Sequence, residues 1–488
     1  MWLNNLTEYK GKRVTILGLG RYKQGSGRSA ALWMLRLGVH LLITDKKSAE
    51  DLHEATSEIM AAYMFAKEKG LPVFEPVFVL GEHREVDVIE TDLVVRNPAV
   101  PVESPLLALA FKNNVPVETD ISLFFRLCPF EITAITGTRG KSTTTAWVGE
   151  MMKHAFGDAV IAGNNQRSPL NDLERLLESK KKIPVILELS SWMTESLAHV
   201  GQSAHVAAFT NIYPDHLDRY SSISEYRDAK AILFEKQTEN DIAVLSYDHE
   251  LVREVSPMTK ARVTWTSLQE LGSGYSGACV VDGNLIFMSE AGEKTFLVTV
   301  DDLSLKGVHN LANGLTASAT AFASGVPIES IKYGLTNFAG LFGRQEQVAK
   351  VSGVDYVNDT TATTTEGVVA ALNRFAAENK KIVLITGGTT KGLSYVDLGQ
   401  RINETCRAVI FLSGSATEEM KEYVDQSLVF GETKSMSEAV ELASLAAKTG
   451  DVVVMSPGAS SFELFLNEFD RGNQFVEAVR GLDTSTRV

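Results

Sequence analysis

Three α/β units in series are what this sequence predicts. Strand-like apolar runs alternate with helical stretches along the whole chain, the pattern of parallel sheets covered by helices. The alternation restarts twice, at "FEITAITG" and again after "LFGRQEQVAK". The 488 residues are also too many for a single core and suggest about three domains. Boundaries at 127/128 and 341/342 give units of residues 1–127, 128–341 and 342–488.

The first unit opens with the strand "RVTILGLG", a turn carrying Gly18, Gly20, Gly25 and Gly27, the helix "SAALWMLRLG" and the strand "HLLITD". A strand, a Gly-rich turn and a helix, followed by an acid (Asp45) ending the next strand, make a Rossmann-like unit. The glycine spacing is stretched relative to G-x-G-x-x-G. The runs "TDLVVRNP" and "NNVPVETD" complete this unit. In the second unit "FEITAITG", "IPVILELSS", "HVAAFTNI" and "DIAVLSYD" are strands of a mostly parallel sheet. Between about 255 and 305, short segments punctuated by glycine ("RVTWTS", "ACVVDGNLIFM", "KTFLVTV") predict antiparallel hairpins, and "NLANGLTASATAFASGV" returns to helix. The third unit is Rossmann-like again, with strands at "VDYVND", "KKIVLITGG", "RAVIFLSG" and "DVVVMSPG".

Composition narrows the function. A hydrophobic fraction of 44% is that of a soluble globular protein. A formal charge of −14 argues against a nucleic-acid partner, because phosphate backbones are held by dense Lys and Arg. Cys128, Cys279 and Cys406 stand far apart with no C-x-x-C pair, as expected in a reducing cytoplasm. No targeting segment and no long apolar run is evident, so neither export nor a membrane is expected.

The chemistry concentrates in "ITAITGTRGKSTTT". A loop leaving a strand and entering a helix aims backbone N–H groups and the helix dipole at one point, a ready phosphate site. This makes the second unit one of P-loop ATPase type. Gly137 and Gly140 let the backbone turn, Thr138, Arg139 and Thr143 complete the cradle, Lys141 reaches terminal phosphates and Ser142 is placed for Mg²⁺. Ile135 stands where the commonest pattern has glycine. Downstream, Glu188 ends a buried strand beside the loop and offers Mg²⁺ a hard oxygen. "TNIYPDHLDRY" packs Asp215, His216 and Asp218 into a turn, which by itself fits helix capping equally well. Lys230 lies on an amphipathic helix, where the ordinary reading is a solvated face.

Together, G-T-R-G-K-S, "ELSS", "PDHLD", "YRDAK" and "HNLAN" resemble the Mur ligases and their folylpolyglutamate synthetase relatives, most of all the branch that adds D-glutamate. The likeness runs from about residue 11 to about residue 478. It implies an ATP-dependent amide ligase of cytoplasmic peptidoglycan precursor synthesis that turns a carboxylate into an acyl phosphate. Its substrates would be ATP, UDP-N-acetylmuramoyl-L-alanine and D-glutamate, its state a monomer. By the same resemblance Lys230 is carbamylated, and Ser142, Glu188, His216 and Lys230 hold two Mg²⁺. Asn310 and Asn313 serve the nucleotide base; Arg344 and Asp359 also work with ATP. Gly20 and Gly27 lie near the pyrophosphate, Thr44, Asp45 and Lys46 near the uridine, and Asn164 and Ser191 meet the sugar substrate. Thr363, Lys391 and Ser461 take D-glutamate. Lys141, His216 (also a candidate base), Lys230 and Arg344 form the catalytic set.

The chain departs from the family pattern at five places. Arg21 to Gln24 are inserted in the first turn, Gly343 and Gln345 replace His and Phe, Thr361 replaces a Lys, and Glu468 stands where an aromatic is usual. The alternatives are a sister ligase adding another amino acid, a nucleotide-binding regulator without turnover, and an NAD dehydrogenase. A dehydrogenase would not predict the second, P-loop nucleotide site.

Overall fold

The computed structural model describes residues 6–20, 23–216, 219–390 and 392–485. The chain divides between Phe338 and Ala339 into two compact units. The first contains two sheets and the second contains one.

The N-terminal sheet is parallel throughout. It comprises β1 (Arg13–Leu17), β2 (His40–Asp45), β3 (Val77–Leu80), β4 (Leu93–Arg96) and β5 (Val117–Glu118), in the order β3-β2-β1-β4-β5. The order reverses at β1, so the Gly-rich turn that follows it opens at a topological switch point. The helix Ser26–Arg36 then packs back through Ala30, Ala31, Met34 and Leu35.

The second sheet has nine strands: β6 (Ile132–Thr136), β7 (Val160–Gly163), β8 (Val185–Glu188), β9 (Val206–Phe209), β10 (Ile242–Ser246), β11 (Arg262–Ser267), β12 (Gly277–Val281), β13 (Asn284–Met288) and β14 (Lys294–Thr299). Their order is β14-β13-β12-β11-β10-β9-β6-β8-β7. Strands β6, β8 and β9 are buried along their entire length, as expected of parallel strands covered on both faces. Only β12–β13 and β13–β14 are antiparallel. "RVTWTS" departs from the expected hairpin: β11 runs parallel to both β10 and β12. The segment from Leu268 to Ser276 returns the chain to the starting end of the sheet, which a tight turn cannot do. One apolar cluster continues from the first sheet into the second through Ile121, Phe124, Phe125 and Leu127. No helix among the described residues is long and apolar enough to cross a membrane.

The second unit is built on β15 (Glu346–Val351), β16 (Val354–Asn358), β17 (Ile382–Gly387), β18 (Cys406–Leu412), β19 (Val429–Thr433) and β20 (Val452–Met455). The order is β15-β16-β20-β17-β18-β19, parallel apart from the β15–β16 hairpin. The loops after β16, β20 and β17 therefore leave the same edge of three adjacent strands.

Candidate functional site

β6 ends at Thr136 and, after a loop of four residues, the helix Lys141–Phe156 begins. The intervening loop is braced by the segment after β9. Thr138 N–H donates to Asn211 O (2.9 Å) and Arg139 N–H to Asn211 Oδ1 (2.9 Å). The Thr210 hydroxyl donates to Arg139 O (2.8 Å) and so does the Asn211 amide (3.0 Å). Thr138 and Arg139 thus spend their N–H groups shaping the loop. Lys141, Ser142 and Thr143 occupy the first helical turn, where N–H groups have no intrahelical acceptor and can receive an anion. The Lys141 ammonium lies over the loop, donating to Gly137 O (3.0 Å) and Thr138 O (2.9 Å).

Glu188 is paired in register with Ile135, two residues before the loop, and is only 1% exposed. Its Oε1 accepts from the Asn164 amide (3.0 Å), while Asn164 N–H donates to Glu188 O (2.8 Å). Oε2 is buried without a hydrogen-bond partner, and so are the hydroxyls of Thr144 and Thr145. An orphaned carboxylate oxygen beside a phosphate cradle fits Mg²⁺, which binds through one or two carboxylates plus substrate phosphates.

Lys230, on the helix Ile223–Glu235, is 1% exposed, so the solvated-face reading of its helix does not hold. Its Nζ lies 4.4 Å from the centre of the Tyr226 ring. Burial first, and then the positive charge of Lys141, lower its pKa to about 6, against the opposing pull of Asp215 and Glu195. The His216 ring stands 5.9 Å from the same Tyr226 ring and 5.7 Å from Trp192. Its backbone is left-handed (φ 53°). The structure therefore brings His216 and Lys230 together around one aromatic ring. Ser191, buried, begins the short helix after Glu188. Asn310 and Asn313 lie on one turn of the helix Val308–Ala323, with Asn313 against Gly140.

In the N-terminal turn Asp45 is an organiser. Its Oδ2 accepts from Leu19 N–H (2.8 Å) and its Oδ1 from Lys47 N–H (2.9 Å). Thr44 is fully buried, its hydroxyl 2.8 Å from His83 Nδ1, whereas Lys46 is exposed. Gly20 adjoins the Asn97 amide, and Gly27 packs onto Gly18 O so closely that a Cβ there would collide. Of the inserted residues, Arg21 lies outside the described residues, and Gln24 reaches the segment after β7: Gln24 O accepts from Ser168 N–H (2.7 Å) and from the Asn171 amide (3.3 Å).

Within the second unit, Asp359 is 5% exposed; its Oδ1 accepts from Gln345 N–H (3.1 Å) and its Oδ2 from the Ser456 hydroxyl (2.7 Å). Burial raises its pKa to about 7, opposed by those two bonds and by the charges of Arg344 and Arg374. Arg344 is itself exposed. The Thr361 hydroxyl turns back to Gly343 O (2.8 Å) and supplies no substitute for a lysine's charge. Gly458 N–H donates to Ala362 O (2.9 Å), and Ser460 and Thr389 exchange backbone bonds (2.9 and 3.1 Å). The three loops carrying Thr363, Ser461 and Thr389 are thereby tied together. Lys391 lies outside the described residues.

The Mur ligase middle domain matches residues 135–321, and the Mur ligase glutamate ligase domain matches residues 343–458. The chain belongs to the Mur ligase family. Among its relatives, the UDP-N-acetylmuramoylalanine--D-glutamate ligase of Roseiflexus sp. (strain RS-1) is 37% identical, over 96% of this chain and 98% of that one. The enzyme of the same name from Koribacter versatilis (strain Ellin345) is 33% identical, over 97% and 98%. The solved structure of the MurF ligase from Thermotoga maritima in complex with ADP shares the fold. Its TM-score is 0.53 at 16% identity, covering 100% of this chain and 98% of that one.

Three residues of this Mur ligase's site were missed from sequence. Asn211 braces the phosphate loop, Tyr226 joins Lys230 to His216, and Asn97 lines the first turn. Asn211 carried a signal in its place two residues after a buried strand that neighbours the P-loop strand, and Tyr226 in heading the YRDAK motif, whereas Asn97 carried none. Gly140 also carries a testable consequence for this Mur ligase. It has φ 81°, and a Cβ there would collide with Asn313 Oδ1. Gly140→Ala therefore costs about 1–2 kcal/mol in backbone strain alone and displaces Asn313. We expect a lower melting temperature and weakened ATP binding by titration calorimetry, with binding of the UDP-sugar unchanged.

Proposed function

We propose that this chain is an ATP-dependent ligase that joins D-glutamate to UDP-N-acetylmuramoyl-L-alanine, releasing ADP and phosphate. What carries the chemistry is one juxtaposition: a phosphate loop, the orphaned oxygen of Glu188, and a buried Lys230 whose amine is mostly neutral at pH 7. What supports the choice of substrates is near-full-length similarity to two ligases of that name. In this reading residues 1–127 take the UDP-sugar, 128–341 take ATP and 342–488 take the amino acid. The enzyme works in the cytoplasm as a monomer on small molecules, without nucleic acid or membrane.

The substrate carboxylate attacks the γ-phosphate of ATP, giving an acyl phosphate and ADP. Phosphate then leaves where oxide could not. Lys141, the first-turn N–H groups and Arg344 steady the charge on the transferred group. Ser142, Glu188, His216 and Lys230, the last as its carbamate, would hold Mg²⁺, which supplies charge neutralisation between two anions. Asn310, Asn313 and Asp359 hold the nucleotide. Gly20, Gly27, Thr44, Asp45, Lys46, Asn164 and Ser191 orient the UDP-sugar, Asp45 through the turn it organises. The amine of D-glutamate, placed by Thr363, Lys391 and Ser461, attacks the acyl carbon. His216, when its ring nitrogen is not committed to the metal, is the candidate base for the proton it sheds, and the tetrahedral intermediate expels phosphate.

The deciding experiment is phosphate release with ATP, Mg²⁺ and UDP-N-acetylmuramoyl-L-alanine across a panel of D- and L-amino acids. Release confined to D-glutamate, with the product mass confirmed, is expected. Release with another amino acid would assign the chain to a sister ligase, the outcome that the uncharged Thr361 loop favours. Independence from any amine would leave a nucleotide-binding regulator.

A further inference from the structure

Arg471, in the first turn of the helix Glu468–Ser485, is the most deeply buried cation among the described residues, at 0% exposed. A charge removed from water is normally matched by an opposite one. Among the described residues, its hydrogen-bond partners are neutral. Nε donates to the Thr360 hydroxyl (3.1 Å), Nη2 to Thr360 O (2.9 Å) and Nη1 to Ala459 O (3.3 Å). Burial lowers its pKa to about 10, with Glu468 opposing, so the guanidinium stays charged at neutral pH.

Its two partners belong to different loops. Thr360 follows β16 and leads into Thr363; Ala459 follows β20 and leads into Ser461. The Thr360 hydroxyl also donates to Glu468 O (2.6 Å), fastening the helix start to the same loop. A planar fork bonded to both loops fixes their spacing more tightly than the single Gly458–Ala362 bond could alone. It also leaves a fixed positive charge behind them, although Thr361 offers none in front.

We infer that Arg471 is a positioning residue of the amino-acid pocket: it holds the Thr360–Thr363 and Ala459–Ser461 loops in register and lends them the charge that attracts an acidic amino acid. This rests on the ligase reading above. The test is steady-state kinetics of Arg471→Lys and Arg471→Met in the full chain, varying each of the three substrates in turn. We expect KM for D-glutamate to rise about tenfold in Arg471→Lys, the loss of one charged hydrogen bond, and further in Arg471→Met. The KM values for ATP and for the UDP-sugar should hold, and kcat should fall less than KM rises. An unchanged D-glutamate KM overturns the inference, as does a uniform fall in all parameters that tracks loss of folded protein. Thr360→Val, measured in parallel, keeps the shape but removes the hydroxyl. It should raise the same KM alone, and it decides the matter if neither Arg471 variant folds. If the wild-type chain uses a different amino acid, the ligase reading fails separately, and the same KM split is then measured with that amino acid.

Discussion

Lys141→Ala should reduce phosphate release about a thousandfold while leaving the chain folded. The ammonium rests on the carbonyls of Gly137 and Thr138, over the loop that leads into the first turn of the helix Lys141–Phe156. Those carbonyls are weak partners compared with a triphosphate, so an incoming nucleotide is expected to draw the ammonium off the loop and onto its terminal phosphates. Charge on the transferred phosphoryl group is greatest in the transition state. Removing a cation aimed at it therefore costs more in kcat than in binding, on the order of 10³-fold for one such group. Lys141→Arg keeps the charge but substitutes a wide planar fork in a loop of four residues, and it should not restore turnover. A second effect follows from Lys230, whose pKa the Lys141 charge helps to lower. Without Lys141 the Lys230 amine holds its proton to higher pH, so any modification that needs the neutral amine becomes scarcer. Calorimetric ATP binding and phosphate release would be measured together. A Lys141→Ala enzyme within about tenfold of wild-type turnover would sink the assignment of this loop.

What was legible in the sequence was whatever is local or fully buried. β6, β8 and β20 are buried along their whole length and β1 along all but its first residue, so their sequences are dominated by apolar and β-branched residues that announce a strand. β3 and β19 escaped notice because they are short sheet edges with mixed burial: the four apolar residues of β3 are too few to mark a strand by themselves, and Gly431 and Glu432 interrupt β19. The phosphate loop is equally local: strand, turn and helix lie within one short stretch. Lys230 is the opposite case. Its helix carries a buried face and a solvated one, and nothing in "YRDAKAILFE" says on which the lysine falls. Only the packing of Tyr226 and the loop charge beside it settles that. Asp45 shows a related ambiguity. An acid at a strand end can serve a ribose or the backbone of the neighbouring turn, and here each of its oxygens accepts from one backbone N–H.

Lys230→Met should abolish turnover and at the same time make the protein harder to melt. An ordinary lysine loses its proton near pH 10.5; at 1% exposure this one does so at about 6. Between those two values the unfolded chain binds a proton that the folded chain does not. Stability therefore rises with pH across that window and is lost as pH falls towards about 6. Methionine fills a similar volume without the penalty, so its advantage in melting temperature should be largest at low pH and shrink as pH approaches 10.5. A buried amine that opposes folding is the signature of a functional group, and the neutral form is the one that can attack CO₂. In the proposed carbamate the amine nitrogen would bond to the carbon of CO₂ and a proton would leave. What would repel Mg²⁺ as a cation would then offer it an anionic oxygen, near the Tyr226 ring that His216 also meets. Loss of that ligand should cost at least about a hundredfold in activity. Enzyme stripped of bicarbonate should lose activity and regain it on adding bicarbonate, and activity should fall as pH drops through about 6, where the amine protonates. Intact-protein mass under native conditions should show the added CO₂, absent in Lys230→Met. A fully active wild-type enzyme carrying a bare Lys230 would disprove the carbamate. A Lys230→Met variant that is both active and no more stable would remove Lys230 from the site altogether.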